Sequence, residues 1–444
     1  MTDRELEVRI DDQSVGSLKE YNDLWAFEYS PQWAVSADSF DLSPALPRAE
    51  RLQRDGASNR RVQWYFDNLL PEEAMRTVLA KEAARSAEDA FGLLGYFGAE
   101  SAGSLTLRDP AHPESMERGL KALPLAQLSE RIANLPTVSL TKDAPKKMSL
   151  AGAQHKLLIV LDGEELFEPL PGTPSTHILK PDHPGDDYVA SVMNEYFTMR
   201  LARAVGLPVP AVKRLYVPQP VYIVERFDRV KVPNSAHVRR RHVIDTCQLL
   251  NKSRTFKYTA ANLDTLQQAA SACRSKAAAR LQLYRWLMFN VLVGNADNHL
   301  KNISFLVDAS GIEIAPAYDL LCTAVYDTRA LAGDKAQWPA SPLAINLGEA
   351  SRFDEVRRSD VVAAGRLLGL SQATATRELD RLSSIIPIKT DELIGEVETH
   401  RDTHLAASSN PDAVRAFMAA ETRMLDAVRH IVIADVARRL RADR

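Results

Sequence analysis

An aspartate followed five residues later by an asparagine stands in the stretch Gly294-Asn295-Ala296-Asp297-Asn298-His299-Leu300-Lys301-Asn302. Phosphoryl transfer to a hydroxyl needs an acceptor for the hydroxyl proton, and hard oxygen ligands for a Mg²⁺ ion beside the phosphates. Asp297 and Asn302 are the residue types for these two jobs, at the spacing that kinase catalytic loops use. Lys301, between them, is placed to neutralise charge on a transferring phosphate. A second acid is then required at the end of a following strand, and Ile314-Ala315-Pro316-Ala317-Tyr318-Asp319 supplies it. Mg²⁺ takes few carboxylates along with phosphate oxygens and water, a demand that Asn302 and Asp319 meet. Taken singly, these residues would pass for helix and turn caps; the combination points to phosphoryl transfer.

Three upstream segments could serve the same chemistry. Met148-Ser149-Leu150-Ala151-Gly152-Ala153-Gln154-His155-Lys156 runs through small residues into a strand. Small residues let backbone N–H groups approach phosphate oxygens, although an ordinary turn would look the same and no GxGxxG or GxxxxGK[ST] pattern is present. Lys180 closes the strand His177-Ile178-Leu179, where an inward lysine can pair α- and β-phosphates, and Glu195 on the next helix could orient it. Val224-Glu225-Arg226-Phe227-Asp228 runs out of a strand and would offer backbone groups to an adenine edge.

The elements that must position these residues can be read from periodicity. Leu6, Val8 and Ile10, then Trp25, Phe27 and Tyr29, alternate as strands, and Val62 to Leu79 reads as helix interrupted at Asn68-Leu69-Leu70-Pro71. Phe91-Gly92-Leu93-Leu94-Gly95 is expected to turn toward a strand at Leu105-Leu107. Arg108 to Arg118 and Thr141 to Lys147 read as linkers. Strands dominate to about Phe227, broken by a helix from Tyr188 to Val205 that Gly206 and Pro208 end. Beyond residue 260, one helix is expected over Leu266 to Leu292, a strand pair at Asn302-Val307 and Gly311-Ile314, and amphipathic helices from Arg357 to Arg444. The His237 to His242 segment, with three arginines inside it, reads as a solvated hairpin tip; a dock for an acidic partner is the alternative.

The 444 residues suffice for two or three domains, and 45% hydrophobic with 25% charged residues is a globular balance. A net charge of -3 argues against nucleic acid as the main independent ligand. Cys247, Cys273 and Cys322 show no CxxC spacing, which fits reduced thiols. MTDRELEVRIDD lacks the apolar core of a signal peptide, and no apolar run is long enough to span a bilayer.

At this point the sequence resembles the HipA-family serine/threonine kinases, the toxin half of bacterial toxin–antitoxin pairs. The matching stretches are SLAGAQHK (149–156), THILKPD (176–182), NEYFTMRLARAVGLPVP (194–210), VERFDR (224–229), DTCQ (245–248), GNADNHLKN (294–302) and PAYDLL (316–321), with WYFDNLLPE (64–72) in the N-terminal part. The resemblance implies an α+β, bilobal protein-kinase-like fold. Its parts would be a small α/β N-terminal domain at 1–108, a strand-rich nucleotide-binding lobe at 140–227 and a helical catalytic lobe at 228–444. ATP and Mg²⁺ are the implied cofactors. Asp297 would be the base, Lys301 would be catalytic beside it in the lining of the nucleotide site, and Asn302 and Asp319 would hold Mg²⁺. Ala151, Gly152, Ala153, Gln154, His155 and Lys156 would form the phosphate-side loop, with Lys180 on the phosphates. Glu225, Arg226 and Phe227 would be the adenine-side hinge, and His299 and Tyr318 would line the nucleotide site. Ser149 matches the family's autophosphorylated serine, and His155 departs from the acidic residue common at its position. The implied partners are a helix-turn-helix antitoxin (HipB-like), operator DNA mainly through that antitoxin, and a protein substrate of the aminoacyl-tRNA synthetase class. The implied location is the bacterial cytoplasm, with no membrane partner. A small-molecule kinase and a catalytically silent co-repressor module are the alternatives that the residues leave open.

Overall fold

A computed structural model describes residues 3–442 except 112–116, 148–153, 234, 236 and 409. The chain divides into two compact units, residues 1–179, 225–257 and 304–315 in one and 180–224, 258–303 and 316–444 in the other. The division passes through strands His177–Pro181 and Pro220–Glu225.

In the first unit, antiparallel strands lie in the order Leu52–Arg54, Leu24–Tyr29, Gln13–Tyr21, Arg4–Ile10, Leu105–Arg108 among the described residues. The period-2 alternation buries Leu6, Val8, Leu18, Trp25, Phe27 and Tyr29 on one face. The turn expected at residues 91–95 is instead a helix, Ala90–Phe97. Asp89 caps it by accepting from the Gly92 N–H at 3.0 Å, and its apolar residues are buried. At its end Gly98 admits the following strand: a Cβ there would lie 2.7 Å from that of Leu107. Gly98 marks a close approach, not a turn.

The same unit carries antiparallel strands Leu157–Asp162 and Glu165–Pro169, edged by Leu120–Ala122. A second sheet joins His242–Asp245, Ser304–Asp308 and Gly311–Ile314, with Phe227 packed on Val243, Leu306 and Ala315. The expected linker at 141–147 and the expected solvated hairpin tip at 237–242 both hold buried residues. Lys146, in the expected linker, is buried with its Nζ 2.5 Å from Glu100 Oε2. Arg240 pairs with Asp11 and Glu100 at 3.0 and 3.1 Å, and His242 is buried, whereas His237 and Arg239 stay exposed. Charge in a sequence does not distinguish a solvated face from a buried ionic cluster.

His242 Nε2 donates to the Leu42 carbonyl at 3.0 Å, which leaves Nδ1 to accept from the Ser104 hydroxyl at 2.9 Å. Burial pulls its imidazole from 6.5 down to about 4. The unfolded chain therefore takes up a proton at a pH where the folded chain refuses it. Stability is full above about pH 6.5 and falls as pH drops toward 4, by up to about 3 kcal/mol for this group. We expect the unfolding midpoint to fall between pH 7 and pH 5, and His242→Gln to flatten that slope. An unaltered slope in the variant would acquit His242.

In the second unit, strand Val212–Tyr216 pairs with the 220–224 part of the next strand. Helix Ser191–Ala204 precedes this hairpin. The expected helix over Leu266–Leu292 is two, Leu263–Ala272 and Lys276–Val293. Cys273 is extended between them, a break that the continuous apolar and alanine spacing conceals. Helices Arg358–Leu367, Gln372–Thr399, Arg401–Ala407 and Pro411–Ala427 follow. Pro387 lies inside the second of these helices, Gln372–Thr399, and cannot donate to the Ser383 carbonyl. The Arg441 guanidinium donates to that carbonyl instead, from the C-terminal helix Ala434–Ala442. No helix among the described residues is long and apolar enough to cross a membrane.

Candidate active site

Helix Lys276–Val293 ends at Gly294, which takes a left-handed φ of 70°. Only glycine fits: a Cβ would meet Val432 Cγ1 at 2.5 Å and Ala324 Cβ at 3.0 Å. The chain then reverses into the loop 295–302, which is shaped by buried amides. Asn295 Nδ2 donates to Asn290 Oδ1 at 2.7 Å, and Asn295 Oδ1 accepts from the Asp297 N–H at 2.9 Å. Thr323 Oγ1 accepts from the Ala296 N–H at 2.6 Å, and the Ala324 N–H donates to the Gly294 carbonyl at 2.9 Å. The loop is thus tied to the segment that follows Asp319.

Asn302 Nδ2 donates to the Asp297 carbonyl at 2.7 Å. That bond fixes the amide orientation and turns Oδ1, the metal-competent atom, the other way. Tyr318 Oη donates to the Lys301 carbonyl at 2.6 Å. The residue before Asp319 is thereby pinned to the residue before Asn302. Asp319 itself sits at φ 56°, a left-handed conformation that costs an aspartate of order 1 kcal/mol. Such strain persists where surrounding contacts over-determine it, here by directing the carboxylate to Lys180.

Lys180 is buried at the end of its strand. Its Nζ lies 2.8 and 3.0 Å from the two Glu195 carboxylate oxygens and 2.6 Å from Asp319 Oδ1. Burial alone would depress the ammonium; the Asp319 and Glu195 carboxylates more than offset it and hold the group above the usual lysine range. A permanently charged lysine, oriented by a buried glutamate and bridged to a second acid, can grip phosphate oxygens as a fixed cation. Asn302 and Asp319 supply two hard oxygen donors, the kind of donor set Mg²⁺ takes when phosphates and water complete its shell. Among the described residues there is no cluster of three or more His, Cys, Asp or Glu side chains that could hold a metal on its own.

The second unit therefore gathers Lys180, Glu195, Asp297, His299, Lys301, Asn302, Tyr318 and Asp319. Gln154, His155 and Lys156 belong to the first unit, where His155 and Lys156 line a small cleft with Met75, Leu79 and Leu158. Ser149, Ala151, Gly152 and Ala153 lie outside the described residues. Glu225, Arg226 and Phe227 are also in the first unit. The Arg226 side chain is buried against Asp228 and Glu100 at 2.6 and 3.2 Å, and its N–H donates to the Thr176 carbonyl at 2.9 Å. Its guanidinium is structural. Sequence reading missed Tyr258, whose Oη donates to Asp297 Oδ1 at 2.5 Å from 39 positions upstream. No spacing rule links a tyrosine in a polar connector to an aspartate that far away. It also missed the Asn290–Asn295 bond, because buried amides carry no recognisable pattern.

Comparison with known proteins places the chain in a family. Residues 6–108 match the HipA N-terminal domain, and residues 148–387 match the HipA-like C-terminal domain. The chain is 33% identical over 342 residues to the serine/threonine-protein kinase toxin HipA of Shewanella oneidensis, covering 72% of this chain and 76% of that one. A solved structure from Shewanella oneidensis, of HipA with HipB and its operator DNA, superimposes with a TM-score of 0.74 at 27% identity. That match covers 98% of this chain and 99% of the other.

Proposed function

The chain belongs to the HipA family of serine/threonine kinases, and on that premise we propose that it is an ATP- and Mg²⁺-dependent protein kinase toxin held by a partner antitoxin. The observation that carries this reading is buried Lys180 paired with Glu195 and Asp319, in one unit with the tethered Asp297–Asn302 loop. Asp297 takes the proton of the acceptor hydroxyl, Lys180 and Lys301 hold negative charge on the phosphates, and Asn302 and Asp319 are the metal ligands. The metal, when bound, shields charge that builds on the transferring phosphoryl group. Gln154, His155 and Lys156 keep the phosphate-side role and Glu225 to Phe227 the adenine-side role, the latter through backbone atoms.

The substrate class is a translation component such as an aminoacyl-tRNA synthetase, and the antitoxin is a helix-turn-helix protein that reads the operator. The likeness to a HipA–HipB–DNA complex supports the second point, as does a net charge of -3, which leaves DNA contact mainly to a partner. The test is transfer from γ-labelled ATP in bacterial lysate, wild type against Asp297→Asn. A protein band that depends on Asp297 is expected, and mass spectrometry then names the substrate. Consumption of ATP with no labelled protein would replace this reading by a small-molecule kinase.

Asp319→Asn removes one of two proposed metal donors and one of the two anions on Lys180. The Mg²⁺ concentration for half-maximal transfer should rise by about tenfold or more. A titration that superimposes on wild type would remove Asp319 from this role.

A further inference from the structure

We propose that Tyr258 is a gate on the acceptor side of Asp297, occupying in the resting enzyme the seat that an incoming hydroxyl must take. The inference rests on Asp297 being the base. Tyr258 Oη presents an O–H donor to Asp297 Oδ1 at 2.5 Å, the same group and direction that a serine or threonine acceptor would present. The bond is held rather than incidental. The Tyr258 ring stands edge-on to His299, with centroids 4.8 Å apart and planes at 84°. His299 Nε2 in turn lies 3.9 Å from the same Asp297 oxygen. The gate lies at the surface. Tyr258 is 44% exposed, so its phenol can exchange the carboxylate for water without breaking a core.

A carboxylate oxygen already accepting a short phenol bond is a poorer proton acceptor. Two consequences follow for the resting enzyme. A protein acceptor must displace the phenol before transfer. Water, which cannot offer the compensating contacts of a docked protein, must compete with the phenol for the same seat, so idle hydrolysis of ATP is slowed. In that idle reaction Asp297 would take a water proton, the water oxygen would bond to the γ-phosphorus, the bond to the bridging oxygen would break, and ADP would leave.

The experiment measures release of labelled phosphate from γ-labelled ATP with Mg²⁺ and no added protein acceptor, using the full chain. Wild type, Tyr258→Phe, Tyr258→Ala, Asp297→Asn and the double variant Tyr258→Phe/Asp297→Asn are compared. Loss of a hydrogen bond to a charged group should raise release about tenfold in Tyr258→Phe. Tyr258→Ala, which also removes the ring, should release at least as fast. The double variant should be no faster than Asp297→Asn. A rise in rate is a readout that a merely structural tyrosine would not give. Release at or below the wild-type rate in both Tyr258 variants overturns the gate. Release by the double variant as fast as by Tyr258→Phe overturns instead the assignment of the base, and the two failures are thereby distinguished.

Discussion

Asp297→Asn is expected to lower phosphoryl transfer about a thousandfold while leaving the unfolding midpoint unchanged, because it deletes a proton acceptor and little else. The contacts that shape the loop do not need the carboxylate charge. The Asp297 N–H still donates to Asn295 Oδ1, and its carbonyl still accepts from Asn302 Nδ2. An asparagine Oδ1 can accept the Tyr258 phenol as the carboxylate does. ATP affinity should therefore stay near wild type, and the loss should fall on kcat. Equilibrium nucleotide binding and steady-state transfer on the same preparation separate these quantities. A variant that kept wild-type kcat would exclude Asp297 as the base, and one that lost nucleotide binding would show that the loop had moved.

Glu100→Ala is expected to destabilise the first unit by on the order of 3–5 kcal/mol, enough to unfold it in many small domains. Glu100 is fully buried, with Lys146 at 2.5 Å, Arg229 at 2.7 Å, Arg240 at 3.1 Å and Arg226 at 3.2 Å. Burial would raise its carboxyl, and these four cations more than offset that and hold it ionised well below the usual range. Ser175 Oγ donates to it as well, at 3.0 Å. Removing the acid leaves buried cations facing one another with too little negative charge. Asp228 compensates only Arg226 and Arg229, at 2.6 and 3.0 Å. Adding Lys146→Met removes one stranded cation and should recover part of the loss. Urea unfolding of the three proteins measures both effects. A single variant as stable as wild type would mean that water enters and solvates the cluster.

The same cluster shows where sequence reading stops. Lys146 sits in a polar stretch beside Pro145, and Arg226 follows a strand; locally, both look like surface residues. Burial of a charge depends on a counter-charge that can be far away in the chain, here Glu100 126 positions from Arg226. The helix at Ala90–Phe97 was hidden for a related reason. Its glycines Gly92 and Gly95 have low helix propensity and read locally as turn residues, while the close approach to strand Leu105–Arg108 is made by the cap residue Gly98.

What the sequence determined by itself was the chemistry. The Asp297 and Asn302 spacing and the acid at Asp319 lie in short contiguous stretches, so their types and order suffice to name phosphoryl transfer. Strands with period-2 alternation, such as Leu24–Tyr29, and the helix at Ser191–Ala204 were legible because their patterns are also local. The tertiary structure alone decided which groups touch. Lys180 meets Asp319 across 139 positions, and Tyr258 meets Asp297 across 39. Such pairs are set by how helices and strands pack, and packing depends on the summed shape of many side chains rather than on any pattern within one segment.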